Sequence, residues 1–234
     1  MIKKAMILAA GFGKRVHPLT VDCPKPLLKI GKETLLSNTI KFLIKFGINE
    51  VTINTHYLSE QIVSYINEKK FNLKINLVIE KDRILNTGGG VLNVIKNFSN
   101  EPFIIINPDT IWNLSYLEEL KLMEKIFFEN DKNKNFLLVV HSKKSFDKSL
   151  RGDFSLKKDL INRKQNEDLN YIYTGLQIMK TENFLNLNEE VFSINKIWDK
   201  LIKKNNLFGL ESKIEFLHVS NLEIYKSLLN KFKY

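Results

Sequence analysis

Apolar and polar positions alternate along the first half of the chain in two periodicities that take turns. Residues 5–10 form an unbroken apolar run of strand length that ends at Gly11. Residues 35–46 repeat their apolar positions at helical spacing and stop at Gly47, a good helix terminator. Residues 50–55 read as a strand, Ser59 as the cap of a helix to about Lys70, and residues 73–80 as the next strand. A helix is predicted over 89–98 and a strand buried on both faces over 103–107. Ser115-Tyr-Leu-Glu118 has capping-box spacing and opens a helix to about Glu129, followed by a strand over 136–141.

Beyond His141 the pattern loosens. Residues 143–148 are polar and loop-like, and 152–156 and 171–179 predict strands of an inserted sheet region over the open face. A helix follows over 195–204, then a last strand over 214–218, and Ser220-Asn-Leu-Glu223 repeats the capping-box spacing before a C-terminal helix. Strand–helix alternation of this kind predicts an α/β fold, a mixed and mostly parallel central sheet with helices on both faces. Ligands on such sheets bind beyond the carboxyl ends of the strands. Gly11, Asn54 and Asp109 each follow a predicted strand there. No Gly-, Pro- or Ser-rich linker and no internal repeat divides the 234 residues, so one domain over 1–234 is expected.

Composition narrows the classes. The 44% hydrophobic content is ordinary for a globular chain, and no apolar run reaches the ~18 residues of a membrane span. No membrane partner is expected. Met1-Ile-Lys-Lys leads straight into the first strand, which argues against a signal peptide. Cys23 is the only cysteine, so an internal disulfide is impossible and a reducing cytoplasm fits. The net charge of +10 raises nucleic acid as a partner. Yet the basic residues are nearly all lysine, with arginine only at Arg15, Arg83, Arg151 and Arg163. There is no basic helix with interleaved aromatics and no zinc-finger spacing, so no nucleic-acid partner is expected. A diffuse positive field favours capture of anionic nucleotides instead.

The densest chemistry lies in residues 8–28. Gly11 and Gly13, directly after a strand, let the backbone approach a phosphate chain with N–H groups pointing at it. Lys14 and Arg15 add cations, and Lys25 sits between Pro24 and Pro26, which stiffen its backbone. The loop is not a P-loop, because Gly13-Lys14 is followed by Arg15 and not by Ser or Thr. Nor is it a dinucleotide fingerprint: Val16 and His17 stand where a third glycine belongs, which argues against a dehydrogenase. Asp109, in Asn107-Pro-Asp-Thr110, is placed either to hold a cation or to serve as a loop aspartate. Thr87-Gly88-Gly89-Gly90 either passes under a flat base, offering N–H groups, or forms a flexible turn.

The whole string from Leu8-Ala9-Ala10-Gly11 through Gly13, Lys14, Arg15 and Pro18-Leu19-Thr20, followed by Pro24-Lys25-Pro26-Leu27, resembles a family signature. It is that of the nucleotidyltransferases that make nucleotide sugars from a sugar 1-phosphate and a nucleoside triphosphate. The resemblance covers essentially the whole chain and implies a Rossmann-like nucleotidyltransferase fold. It implies a nucleotide-binding half over about 1–112 and a sugar-binding half over about 113–234. No hexapeptide repeats are present, so no C-terminal β-helix is expected.

By the same resemblance, Leu8, Ala9, Ala10, Gly11, Gly13, Lys14, Arg15, Thr87, Gly88 and Gly89 bind the nucleotide. Arg15 stabilises the pyrophosphate leaving group and Lys25 holds the α-phosphate and the incoming phosphate. Asp109 holds Mg2+, with Mn2+ or another divalent ion as alternatives. Asn54, Glu80, Gly152, Asp153 and Gly175 fall on the sugar-phosphate side, Gly175 giving the ring room. Thr87-Gly-Gly-Gly90 and Asn54-Thr-His56-Tyr-Leu resemble the uridylyltransferases that act on N-acetylmuramate 1-phosphate with UTP, in cell-wall sugar recycling. A similar Thr-Gly-Gly occurs in guanylyltransferases, so transfer to a mannose or heptose 1-phosphate stays open. A cytoplasmic monomer is expected.

One departure stands out. Where the family commonly has D-V-G-T, supplying a second metal carboxylate, this chain reads Leu217-His218-Val219-Ser220. Magnesium prefers oxygen ligands, and imidazole suits softer divalent ions. Either His218 acts through a water, or Asp109, phosphates and water hold the ion, or the chain is a nucleotide- or sugar-binding pseudoenzyme.

Overall fold

The structure, a computed structural model, describes residues 1–129, 135–164 and 168–233. In chain order the elements are β1 (Lys4–Leu8), the short pair β2 (Lys29–Ile30) and β3 (Glu33–Thr34), α1 (Leu35–Phe46), β4 (Glu50–Thr55) and α2 (Ser59–Lys69). Next come β5 (Lys74–Ile79), α3 (Asn86–Val94), β6 (Phe103–Ile106), α4 (Ser115–Glu129) and β7 (Asn135–His141). The remainder is β8 (Ser155–Lys157), β9 (Leu160–Asn162), β10 (Tyr171–Met179), α5 (Asn195–Lys203), β11 (Leu207–Ser212) and α6 (Leu222–Lys231).

Nine strands form one sheet in the order β5-β4-β1-β6-β10-β7-β11-β9-β8. All but β9 and β10 run the same way. The expected mixed, mostly parallel α/β sheet is therefore the observed one. Its unbroken apolar runs have a direct cause: both faces are covered, so neither parity of side chain meets water. On one face Ala5, Ile7, Ile53, Ile104 and Ile106 pack against α1, α2 and α4 through Leu36, Ile40, Ile62, Tyr116 and Leu120. On the other, Met6, Phe103 and Ile105 pack against Val91 and Val94 of α3 and Ile197, Trp198 and Leu201 of α5. Burying each such side chain stabilises the fold by roughly 1.5–3 kcal/mol, so a polar substitution at Ile105 would break the sheet.

Helix starts depart from the capping-box reading. Ser59 is the first residue of α2, which has no side-chain cap, and Leu58 ahead of it has a left-handed backbone. At α4 it is Asn113 Oδ1 that accepts from Ser115 N, at 2.9 Å. At α6 Asn221 caps by accepting from Ile224 N at 3.0 Å, because the Ser220 hydroxyl is drawn to the buried carboxylate of Asp147. At α6 a competing partner distant in sequence decides the cap, and the local spacing does not see it. The helix expected over 89–98 begins at Asn86 and tightens to 3-10 geometry over Ile95–Phe98. Residues 214–218 make only isolated bridges, Ser145 to Phe216 and Thr110 to His218. The place beside β7 is already taken by β11. Among the described residues no helix is long and apolar enough to cross a membrane.

Candidate active site

A cleft of about 400 Å3 opens beyond the carboxyl ends of β1, β4 and β6. The loop after β1 forms one wall. Gly13 has φ 66°, a left-handed backbone, and a Cβ there would lie 3.1 Å from both Thr20 Cγ2 and Lys25 Cβ. Thr20 Oγ1 donates to Gly13 O at 2.9 Å and closes the loop. At Gly11 a Cβ would meet nothing within 4 Å; the space a side chain there would fill is the cleft itself. Lys14 and Arg15 line the cleft from a 3-10 turn, and Arg15 has no carboxylate partner among the described residues.

The opposite wall carries Asp109. Its position is set by residues 217–219 running alongside 109–111: Ile111 N donates to Leu217 O at 2.8 Å and Val219 N to Asp109 O at 2.9 Å. That pairing brings His218 Nε2 to 3.2 Å from Asp109 Oδ2, while Lys25 Nζ donates to the same oxygen at 2.5 Å. Burial pushes the Asp109 carboxyl up, but the Lys25 ammonium and His218 outweigh it and hold the group well below the usual carboxylate range. Asp109 Oδ1, His218 Nδ1 and the Tyr173 hydroxyl are buried with no hydrogen-bond partner among the described residues. Burial and the nearby Asp109 charge push the Tyr173 phenol well above its ordinary value. The walls thus offer free cations on one side and an unpaired anionic oxygen on the other.

Leu8, Ala9, Ala10, Gly11, Gly13, Lys14, Arg15, Lys25, Asn54, Thr87 and Asp109 line this one cleft. Others fall elsewhere. Gly88 N and Gly89 N donate to Phe192 O at 2.9 and 3.1 Å, so the expectation that they offer N–H groups to a base does not hold here. Those glycines let the 190–192 backbone lie across the first turn of α3. A Cβ on Gly88 would sit 2.4 Å from the Phe192 ring, and one on Gly89 would sit 2.0 Å from Glu190 O.

Glu80 is buried behind Asn54 and does not line the cleft. A Cβ at Gly175 (φ 96°) would press on Asn107 Cβ at 3.0 Å, so its glycine lets β10 lie against the loop after β6. A Cβ at Gly152 would collide with Leu169 O at 2.0 Å. Asp153 Oδ2 accepts from Tyr173 N at 2.9 Å, and Asp153 does not line the cleft. Sequence reasoning missed Ile84, Asn86, Asn107 and Pro108 as cleft residues. Asn107 and Pro108 adjoin a motif already singled out, whereas Ile84 carried no signal.

Gly89→Ala is expected to lower Tm by roughly 2–12 °C, since overpacking against backbone costs roughly 1–3 kcal/mol and each kcal/mol is worth about 2–4 °C at this size. Gly11→Ala should leave Tm within about 1 °C, because its Cβ meets nothing in the chain. Thermal melts of the two variants decide it.

Cations facing a carboxylate across the ends of parallel strands suit the binding of a polyphosphate. The chain belongs to the Nucleotidyl transferase family, which matches residues 4–145. Over 224 residues it is 25% identical to the N-acetylmuramate alpha-1-phosphate uridylyltransferase of Caulobacter vibrioides, covering 94% of this chain and 92% of that one. Over 121 residues it is 35% identical to the D-glycero-alpha-D-manno-heptose 1-phosphate guanylyltransferase of Campylobacter jejuni, 52% of this chain and 53% of that protein. HddC from Yersinia pseudotuberculosis, solved in complex with GMP-PN, has the same fold: TM-score 0.77 at 23% identity, over 99% of this chain and 100% of that one. Family and relatives together support nucleotidyl transfer to a sugar 1-phosphate.

Proposed function

We propose that this chain transfers UMP from UTP to N-acetyl-α-muramate 1-phosphate, giving the nucleotide sugar and pyrophosphate. One observation carries the choice of substrates. The likeness to the uridylyltransferase runs through both halves of the chain, 94% of it, whereas that to the heptose guanylyltransferase spans 52%. Cys23 as the sole cysteine suits a reducing cytoplasm as the setting.

No protein nucleophile is needed. A phosphate monoester is mostly dianionic near neutral pH, its second pKa being about 6. Its oxygen forms a bond to the α-phosphorus as the bond to pyrophosphate breaks on the opposite side. The barrier is repulsion between anions, so the protein's task is positioning and charge neutralisation. Arg15 would take up the charge that grows on pyrophosphate. Lys25, held at the cleft by Asp109, would bridge the α-phosphate and the incoming phosphate.

The donor set fits a divalent ion. Asp109 Oδ1 is a buried anionic oxygen without a partner, and magnesium is commonly held by one or two carboxylates plus substrate phosphates and water. Among the described residues no group of three or more His, Cys, Asp or Glu forms an all-protein cage, so phosphate oxygens would complete the shell. When bound, the ion would supply neutralisation of phosphate charge.

The test is pyrophosphate release with four nucleoside triphosphates against a panel of sugar 1-phosphates. UTP with N-acetylmuramate 1-phosphate should be fastest. Faster transfer from GTP to a mannose or heptose 1-phosphate would replace this reading with the guanylyltransferase one, and no turnover of any pair would leave a binding protein. His218→Asp should lower the magnesium concentration for half-maximal rate, because a second carboxylate adds an oxygen ligand and a charge. Wild type should accept manganese or cobalt comparatively well. If His218→Asp and His218→Ala titrate alike with magnesium, the side chain does not act near the ion.

A further inference from the structure

A buried polar chain at the cleft links the glycine loop to residues 84–87. Asn54, at the end of β4, is 2% exposed and Glu80, just after β5, is 4% exposed. Asn54 Oδ1 accepts from Ala9 N at 3.1 Å, where β1 enters the glycine loop. Asn54 Nδ2 donates to Glu80 Oε1 at 2.7 Å. Glu80 Oε2 accepts from Leu85 N at 2.8 Å, in the loop that carries Ile84, Asn86 and Thr87 into the cleft. The backbone of Glu80 is itself pinned, its N–H donating to Thr55 O at 2.8 Å and its carbonyl lying 2.6 Å from His56 Nδ1. Gly90 leaves no slack, since a Cβ there would sit 2.7 Å from Asn54 Nδ2 and 3.0 Å from Glu80 Oε1.

We propose that Glu80 is a positioning residue that, through Asn54, sets the spacing between the glycine loop and the 84–87 wall, and so governs nucleotide binding. It is not a ligand of the sugar phosphate. The chemistry requires a carboxylate at position 80. Both of its oxygens face donors, and a carboxamide accepts at one end only. A glutamine there would set an NH2 against either Asn54 Nδ2 or Leu85 N. Asn54 has no escape by turning over, because its oxygen is held by Ala9 N. The arrangement tolerates one inversion. With aspartate installed at position 54 and glutamine at 80, the new carboxylate accepts from Ala9 N and from the new amide, whose oxygen still accepts from Leu85 N.

The experiment is therefore a cycle of Glu80→Gln, Asn54→Asp and the two combined. It is read by thermal melting and by calorimetric titration of whichever of the four nucleoside triphosphates the wild type binds tightest. Each single change should lower Tm by about 5 °C and weaken nucleotide binding by about tenfold, the effect of one buried donor or acceptor left unpaired. The combined change should recover most of both. A combined variant no better than its singles overturns the proposal. So does a sugar-phosphate KM that rises with nucleotide affinity unchanged, because the pair would then act on the other substrate. The inference rests on the nucleotidyl-transfer reading for its kinetic arm alone. Should wild type turn over no substrate pair, that reading fails, while the melting cycle still decides whether the two residues act as one unit.

Discussion

Asp109→Asn is expected to take metal-dependent turnover to background while the chain still folds. An amide keeps the shape and loses the charge that holds a hard cation. The loss should be the largest of any single change in the cleft, because the one side chain serves two partners. Oδ1 is the buried oxygen left without a hydrogen-bond partner, and Oδ2 fixes Lys25 at 2.5 Å. With 13% and 20% of their side chains exposed, Lys25 and Asp109 are mostly shielded from water, so removing one charge leaves the other poorly compensated. A lower Tm should accompany the kinetic loss. Pyrophosphate release across a magnesium titration, with circular dichroism to confirm the fold, measures both. Activity that persists at ordinary magnesium concentrations would mean that Asp109 is not the anchor.

Arg15→Ala and Lys25→Ala are each expected to lower kcat by roughly 10²–10³-fold, the usual effect of removing one preorganised stabiliser of transition-state charge. Their stabilities should part company. Arg15 is exposed and has no carboxylate partner among the described residues, so its loss should leave Tm within about 1 °C. Lys25 is the main counter-charge of Asp109, so its loss should lower Tm markedly as well. Near-normal turnover in either variant removes that residue from the mechanism. Equal Tm for Lys25→Ala and wild type would show that the ion pair adds nothing to folding.

Most of the sheet was legible along the chain. Residues 5–10 and 103–107 read as buried strands because covering both faces leaves no polar alternation to confuse them, and β1 and β6 lie there side by side. The glycine loop, Lys25 and Asp109 were legible for a related reason: each stands within a few residues of the strand end or proline pair that positions it. Strand β11 and the cap at Asn221 were not, since each depends on a segment far away, β7 in one case and Asp147 in the other.

The hydrophobic pattern and the residues next to each strand end thus determined the fold class, the rim of the cleft and the charges on it. Tertiary structure alone decided what faces what. His218 reached Asp109 only because residues 217–219 pair with 109–111, more than a hundred positions earlier. Gly88 and Gly89 became the seat of the 190–192 backbone, their N–H groups taken by Phe192 O. Glu80 became the inner brace of Asn54. The physical reason is common to all three. A hydrogen bond or a steric contact is a relation between two places in space, and the sequence around one of them says little about which partner will arrive at the other.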